Sequence, residues 1–242
     1  MSHLLEVTNL SKYFRGLAAL NNVSFTVDPG EVLGIIGPNG AGKTTLFNCI
    51  AGTLPASAGS VVFEGTDTTS WSDSKLANFG LVRTFQLMRP FGSMSVLENV
   101  TVAALVRQKN FKEASAVAAN VLVQVGLDHY SYRRSADLPT AALKRLELAR
   151  ALALEPKLLL LDEVLAGLVP AERQPVIELL KQIRDGGTTL LFVEHVMQAV
   201  MQLSDRVLVL NHGEKLALGT PAEVSSNPEV VEAYLGDEVI GA

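Results

Sequence analysis

At 242 residues, nearly half of them apolar, the chain can bury one large core and is too hydrophobic to stay unfolded. A formal charge of −5 argues against a protein that lives on a phosphate backbone, and a lone cysteine, Cys49, excludes an internal disulfide. The opening MSHLLEVTNL lacks a secretory signal's basic flank, and the richest apolar run, KLLLLDEVLAGLV, is broken by Asp162 and Glu163, so the expectation is a cytosolic chain that binds no nucleic acid and reaches membranes only through a partner.

Short β-rich runs (LLEVTNL, VSFTV, EVLGIIG, SVVFEG) punctuated by Gly, Asn and Pro predict strands over the first sixty residues, several of them antiparallel. Within them, EVLGIIGPNGAGKTT sets Gly37, Gly42, Lys43 and Thr44 in the G-x-x-x-x-G-K-[ST] spacing, after an apolar strand and before the amphipathic stretch TTLFNCIAG. Glycines let a backbone curl until successive N–H groups point at a polyphosphate, and the following helix adds the positive end of its dipole. The loop of Gly37, Pro38, Asn39, Gly40, Ala41 and Gly42 is thus expected to bind phosphates. Lys43 would neutralise the β and γ groups, Thr44 would offer a hydroxyl to Mg²⁺, and Thr45 would reach the α-phosphate. Cys49, on the helix after this loop, reads as a small buried residue.

Beyond LVRTFQ the pattern turns helical: Ser95 and Glu98 have capping-box spacing, and FKEASAVAANVLVQVGL carries helical periodicity to about Gly126. A further helix starts at Leu138 in LPTAALKRLELARAL, with Pro139 suited to its first turn. KLLLLDE then reads as a buried strand ending in Asp162 and Glu163. A phosphate loop needs a second group on the metal side, so Asp162 is expected to hold the magnesium shell through water and Glu163 to polarise the water that attacks the γ-phosphate. The helix PAERQPVIELLKQIRDGG and the strand TTLLFVEH continue a strand–helix alternation that implies a parallel core. DRVLVLNHGEKLALG predicts a hairpin turning at Asn211 to Glu214, and Thr220, Pro221 and Glu223 mark the next helix start.

The order of GPNGAGKTT, Gln86 in RTFQ, the helix at Leu138, LLLLDE and His195 in FVEH resembles the nucleotide-binding subunits of ABC transporters over essentially the whole chain. The resemblance implies one domain over 1–242: an α/β P-loop NTPase core with an N-terminal antiparallel β subdomain and an α-helical subdomain inserted at about 87–152. It implies ATP and Mg²⁺ as cofactors, with Gln86 sensing the metal and touching a membrane subunit and His195 contacting the γ-phosphate. An aromatic near the N-terminus would stack on adenine; Phe14 is the better match and Tyr13 the other candidate. RTFQLMRPFGSMSVLENV, AGLVP, VEHVM and the tail from LSDRVLVLNHG onward are similar to the ATPase subunits of branched-chain amino acid importers, though urea and lipopolysaccharide transport ATPases share much of that tail. The implied partners are transmembrane permease subunits and a second ATPase subunit, with the chain peripheral on the cytoplasmic side of the inner or plasma membrane. Phe85, Leu87, Met88, Phe91 and Met94 around Gln86 offer an adaptable apolar seat for a permease helix; filling the seam between helical insertion and core is the alternative.

Two departures from the family pattern share a direction. A pattern like LSGGQ, whose serine and glycines grip the nucleotide of the opposite subunit, is replaced by Leu138, Pro139, Thr140, Ala141 and Ala142, and Val169 stands where an acidic or amide residue commonly follows GL. Groups acting on the chain's own nucleotide are kept, while groups offered across a dimer are altered. The resemblance therefore implies pairing with a different ATPase subunit of intact signature; a homodimer gripping through Thr140 and backbone groups is the other reading.

Overall fold

A strand apolar at every position can rest only where both of its faces are covered. The computed structural model, which describes residues 3–84 and 90–240 (side chains to 234), resolves the apolar runs in this way. In chain order the elements are β1 (Leu5–Phe14), β2 (Leu17–Val27), β3 (Val32–Ile36), α1 (Lys43–Ile50), β4 (Ala58–Phe63), β5 (Thr66–Asp67), α2 (Asp73–Phe79) and β6 (Leu81–Arg83). Then follow α3 (Val96–Ala104), α4 (Phe111–Gln124), α5 (Thr140–Leu152), β7 (Leu158–Asp162), α6 (Pro170–Asp185), β8 (Thr189–Val193), α7 (Met197–Leu203), β9 (Arg206–Asn211), β10 (Glu214–Gly219), α8 (Pro221–Ser225) and α9 (Pro228–Ile240).

A six-stranded sheet runs β10-β9-β3-β8-β7-β6, parallel except for β10, and an antiparallel sheet runs β2-β1-β4-β5. The two-residue period of a strand sorts the central side chains into two cores. Leu159, Leu161, Leu190, Phe192, Val207 and Val209 join the core shared with α3 to α6. Their neighbours Leu158, Leu160, Leu191, Val193, Leu208 and Leu210 join the one that α1 and the antiparallel sheet complete through Leu46, Phe47, Leu5 and Phe25. At about 1.5–3 kcal/mol for each fully buried Leu or Phe, this two-sided burial anchors the strand ends from which the functional loops leave.

The helical region packs through small residues, with Ala104, Ala114, Ala118, Ala142 and Ala149 fully or nearly buried between α3, α4 and α5. Its entry is fastened twice. Glu98 N–H donates to Ser95 Oγ and Ser95 N–H donates to Glu98 Oε2, a complete capping box. Asn99, wholly buried, accepts from Phe91 N–H at 2.8 Å and donates to the carbonyls of Phe91 and Ser95, tying the preceding loop to α3. The hairpin expected near Asn211 is present between β9 and β10, with His212 and Gly213 at φ 47 and 80, and Thr220 with Glu223 caps α8.

Three features depart from the sequence reading. β1 runs on to Phe14 and pairs with β2 through Arg15 and Gly16, both at positive φ. α2, β5, α7 and α9 are additional elements. Pro139 sits at the N-cap, with φ −67 and ψ 158, one residue before the first helical turn, because its ring's φ suits either position while its ψ here is extended.

Cys49 is 5% exposed on α1, and burial pushes its thiol up to about 11. Roughly one thiol in a thousand is then ionised at pH 8, so alkylation of the folded protein is expected to run about a hundredfold or more slower than that of the urea-unfolded chain. Comparable rates for the two states, read by mass spectrometry, would contradict the packing described for α1.

Candidate functional site

From the end of β3 at Ile36 the chain turns back on itself to begin α1 at Lys43, which demands backbone conformations that few residues adopt. Gly42, at φ 100, is the residue before the helix and carries no side-chain cap. Ala41 N–H donates to Pro38 O at 3.2 Å, closing the turn, and Gly213 N–H donates to Ala41 O at 3.1 Å, so the β9–β10 turn braces the loop. Asn39, Gly40, Ala41, Gly42, Lys43, Thr44 and Thr45 line one wall of a cavity of about 240 Å³; Glu163 and His195 form the other, with Ala19 of β2 at the rim. Residues from four separate stretches of the chain thus meet around a helix N-terminus, where a partial positive charge gathers.

Lys43 is buried and its Nζ donates to the carbonyls of Gly37 at 2.6 Å and Pro38 at 2.8 Å, so the ammonium lies across the loop. Burial lowers its pKa, and the charge of Glu163 opposes that shift. Facing it, Glu163 leaves β7 in a left-handed conformation, φ 49, with its N–H donating to Val193 O at 3.0 Å. That twist points its carboxylate into the cavity, where Oε1 accepts from His195 Nε2 at 2.8 Å, a contact that requires the Nε2-protonated ring.

A third layer stands behind Glu163. Lys144 of α5 donates to the Glu163 carbonyl at 3.1 Å, so the helix that starts near Leu138 reaches the backbone of the carboxylate. Glu194, next to His195 and 3% exposed, accepts from Leu165 N–H at 2.7 Å. Burial raises its pKa, against the stabilising N–H groups of Leu165 and His195, while burial lowers that of Lys144, against the charges of Glu194 and Glu163. Neither Lys144 nor Glu194 has a spacing signature; the contacts join α5, β7 and β8 only in three dimensions.

Other expected site residues fall elsewhere. Asp162 is 5% exposed at the end of β7 and does not line the cavity; its Oδ2 accepts from Arg83 Nη2 at 2.7 Å. Gly37 and Pro38 lie behind the cavity wall, offering their carbonyls to Lys43. Phe14 and Tyr13, each 46% exposed at the end of β1, are not among the lining residues. Gln86 lies outside the described residues, as do Phe85, Leu87 and Met88; of the remaining apolar surface, Phe91 is exposed with the Arg150 guanidinium 5.3 Å from its ring, and Met94 is half-buried. At the start of α5, Leu138 is buried while Pro139 and Thr140 are exposed, and Val169 is exposed at the start of α6.

Comparison with known proteins places this geometry. Residues 20–166 match the family model described as ABC transporter, and residues 214–240 match one described as branched-chain amino acid ATP-binding cassette transporter. The chain is 39% identical, over 97% of its length and 98% of the relative's, to the high-affinity branched-chain amino acid transport ATP-binding protein LivG of Escherichia coli. It is 38% identical over 97% of its length and 98% of the relative's to the corresponding protein BraF of Pseudomonas aeruginosa. The crystal structure of the ADP conformation of an ATP-binding cassette from an ABC transporter superposes with a TM-score of 0.89 at 33% identity, covering 98% of this chain and 100% of that one.

Proposed function

The chain belongs to the ABC transporter family of ATP-binding proteins, and from that premise we propose that it binds and hydrolyses ATP to power an importer of branched-chain amino acids. One observation carries the chemistry: the phosphate loop from Asn39 to Thr45 faces Glu163 and His195 across a single cavity. Glycine backbone without Cβ atoms, a helix N-terminus and a buried ammonium together form an anion site suited to a triphosphate.

Glu163 acts as the general base, taking a proton from the water that attacks the γ-phosphate, and His195 orients the carboxylate through its Nε2–H. Lys43 balances the charge gathering on the phosphates. The donors also suit Mg²⁺. Among the described residues no group of three or more His, Cys, Asp or Glu could hold a metal alone. Magnesium commonly takes one or two protein oxygens and leaves the rest of its shell to phosphate and water. Thr44, whose side chain is exposed on the cavity, and Asp162, which precedes the cavity-lining Glu163 in the chain, would supply such oxygens, with Gln86 the further ligand implied by family resemblance. Bound there, the ion would neutralise phosphate charge and order the leaving group.

The exposed start of α5 is what a second ATPase subunit would meet. Pro139 brings neither hydroxyl nor N–H, and Ala141 adds a methyl where a phosphate must come close. These changes weaken what the chain offers in trans and leave its own site whole, which supports pairing with a different subunit of intact signature. No helix among the described residues is long and apolar enough to cross a membrane, which accords with permease subunits supplying the transmembrane path from the cytoplasmic face.

The test is transport. The chain should come out of membranes with integral permease subunits and a second ATPase, and proteoliposomes of that assembly should take up leucine, isoleucine or valine only with ATP. Uptake of urea but not of these amino acids, or recovery of the chain with ribosomes or DNA, would overturn the reading.

A further inference from the structure

Arg83 lies at the end of β6, three residues before Gln86 in the RTFQ stretch, where sequence reasoning gave a role to the glutamine and none to the arginine. Its guanidinium nevertheless joins two functional elements. Nη2 donates to Asp162 Oδ2 at 2.7 Å, with both side chains nearly excluded from solvent (12% and 4% exposed), and Nη1 donates to Asn48 Oδ1 at 2.5 Å. Asn48 stands four residues after Thr44 on α1, so the two share a helix face. The Phe47 ring, with its centroid 5.7 Å away, walls the guanidinium in, and Arg83 Nε has no hydrogen-bond partner among the described residues. Burying an arginine with one N–H unmet is costly, and it is retained where the fork's geometry matters more than the energy it returns.

The geometry points to Arg83 as a positioning residue that sets Asp162 and α1 in register so that the Thr44 hydroxyl and an Asp162 oxygen can serve one divalent cation. This rests on the reading of the cavity as a magnesium–nucleotide site and deepens it. The fork engages one Asp162 oxygen with one nitrogen and α1 with the other. Oδ1 is thereby left for the metal shell. Planarity and two divergent donors are needed for this, and both distinguish arginine from lysine. A rival account would have Arg83 merely cancel the charge of Asp162, in which case any cation there would serve.

The experiment measures metal and nucleotide separately on the purified chain. Mn²⁺ is titrated in the presence of saturating ATP and its free concentration read by electron paramagnetic resonance; a fluorescent ATP analogue is titrated in EDTA. Arg83→Gln and Arg83→Lys should both weaken Mn²⁺ binding about 10- to 100-fold, the usual effect of removing a partner that orients a ligand, with metal-free nucleotide affinity within about threefold of the parent. In an Asp162→Asn background the same substitutions should add nothing. Restored Mn²⁺ affinity in Arg83→Lys would overturn the proposal in favour of charge balance. Unchanged affinity in both variants would also overturn it, as would equal loss of metal and metal-free nucleotide binding. If the arginine variants do not fold, Asn48→Ala decides: it removes only the α1 anchor and should still weaken Mn²⁺ measurably, whereas parental affinity there sinks the idea. A parent chain that binds no nucleotide would instead strike at the proposed function.

Discussion

Glu163→Gln is expected to lower ATP turnover by about 10²- to 10⁴-fold, the range a positioned general base contributes, while leaving ATP affinity within about threefold. The two side chains are nearly isosteric, and the amide oxygen can still accept from His195 Nε2, so the backbone twist at φ 49 and the histidine contact have no reason to change. What disappears is the acceptor for a proton. At about 1.4 kcal/mol per tenfold, the loss corresponds to about 3–5 kcal/mol of barrier. Phosphate release and nucleotide binding, measured on the same preparation, separate this from a loss of affinity; a variant that hydrolyses at even a tenth of the parent rate would mean the base lies elsewhere.

The same substitution tests the proposed asymmetry between two paired ATPase subunits. The altered groups (Pro139, Ala141, Val169) are those proposed to face a second subunit, whereas Lys43, Glu163 and His195 surround one cavity. Glu163→Gln in this chain should therefore remove most turnover of the reconstituted pair, and the equivalent change in the second ATPase should cost much less. Equal losses would favour two working sites, and with them a Thr140 and backbone grip that suffices.

Local chemistry made the glycine-rich turn before α1, both capping boxes and the β9–β10 hairpin legible in the sequence, because each rests on residues a few positions apart whose φ or hydrogen bonds are dictated by type. The central strands were legible for the complementary reason: an unbroken apolar run such as LLLLD must be covered on both faces. What stayed hidden depends on distance. Arg83 and Asp162 are 79 residues apart, Lys144 meets the Glu163 carbonyl through α5, and Glu194 reaches Leu165 across two strands, and none of these pairs leaves a periodic trace. The β1–β2 turn left no signature because an arginine, not the Asn, Asp or Gly that such turns favour, takes the positive φ before Gly16. The neighbouring rings, Tyr13 and Phe14, remain equally exposed candidates for stacking on a base.

Gly37→Ala should be the most damaging single methyl in the phosphate loop, and glycines no more than five residues apart in one motif should respond unequally. A Cβ at Gly37 would stand 2.2 Å from the Leu210 carbonyl oxygen and 3.1 Å from the Ala41 Cβ. Leu210 belongs to β9, which is hydrogen-bonded to β3, so relief requires either parting two central strands or pulling the loop off its base. The φ of 151 adds backbone strain of about 1–3 kcal/mol to that collision. Together they predict a loss of about 3–5 kcal/mol in stability and of nucleotide binding with it. Gly42 comes next, since its Cβ would meet the Ala19 carbonyl oxygen at 2.6 Å. Gly40 is the control: its φ of 79 is strained for alanine, yet nothing lies within 4 Å of the added atom, so Gly40→Ala should cost only about 1–2 kcal/mol and keep part of the affinity. Urea denaturation and ATP binding of the three variants decide the matter. If Gly40→Ala proves as harmful as Gly37→Ala, close packing of the loop against Leu210 is not what the first glycine of the motif serves.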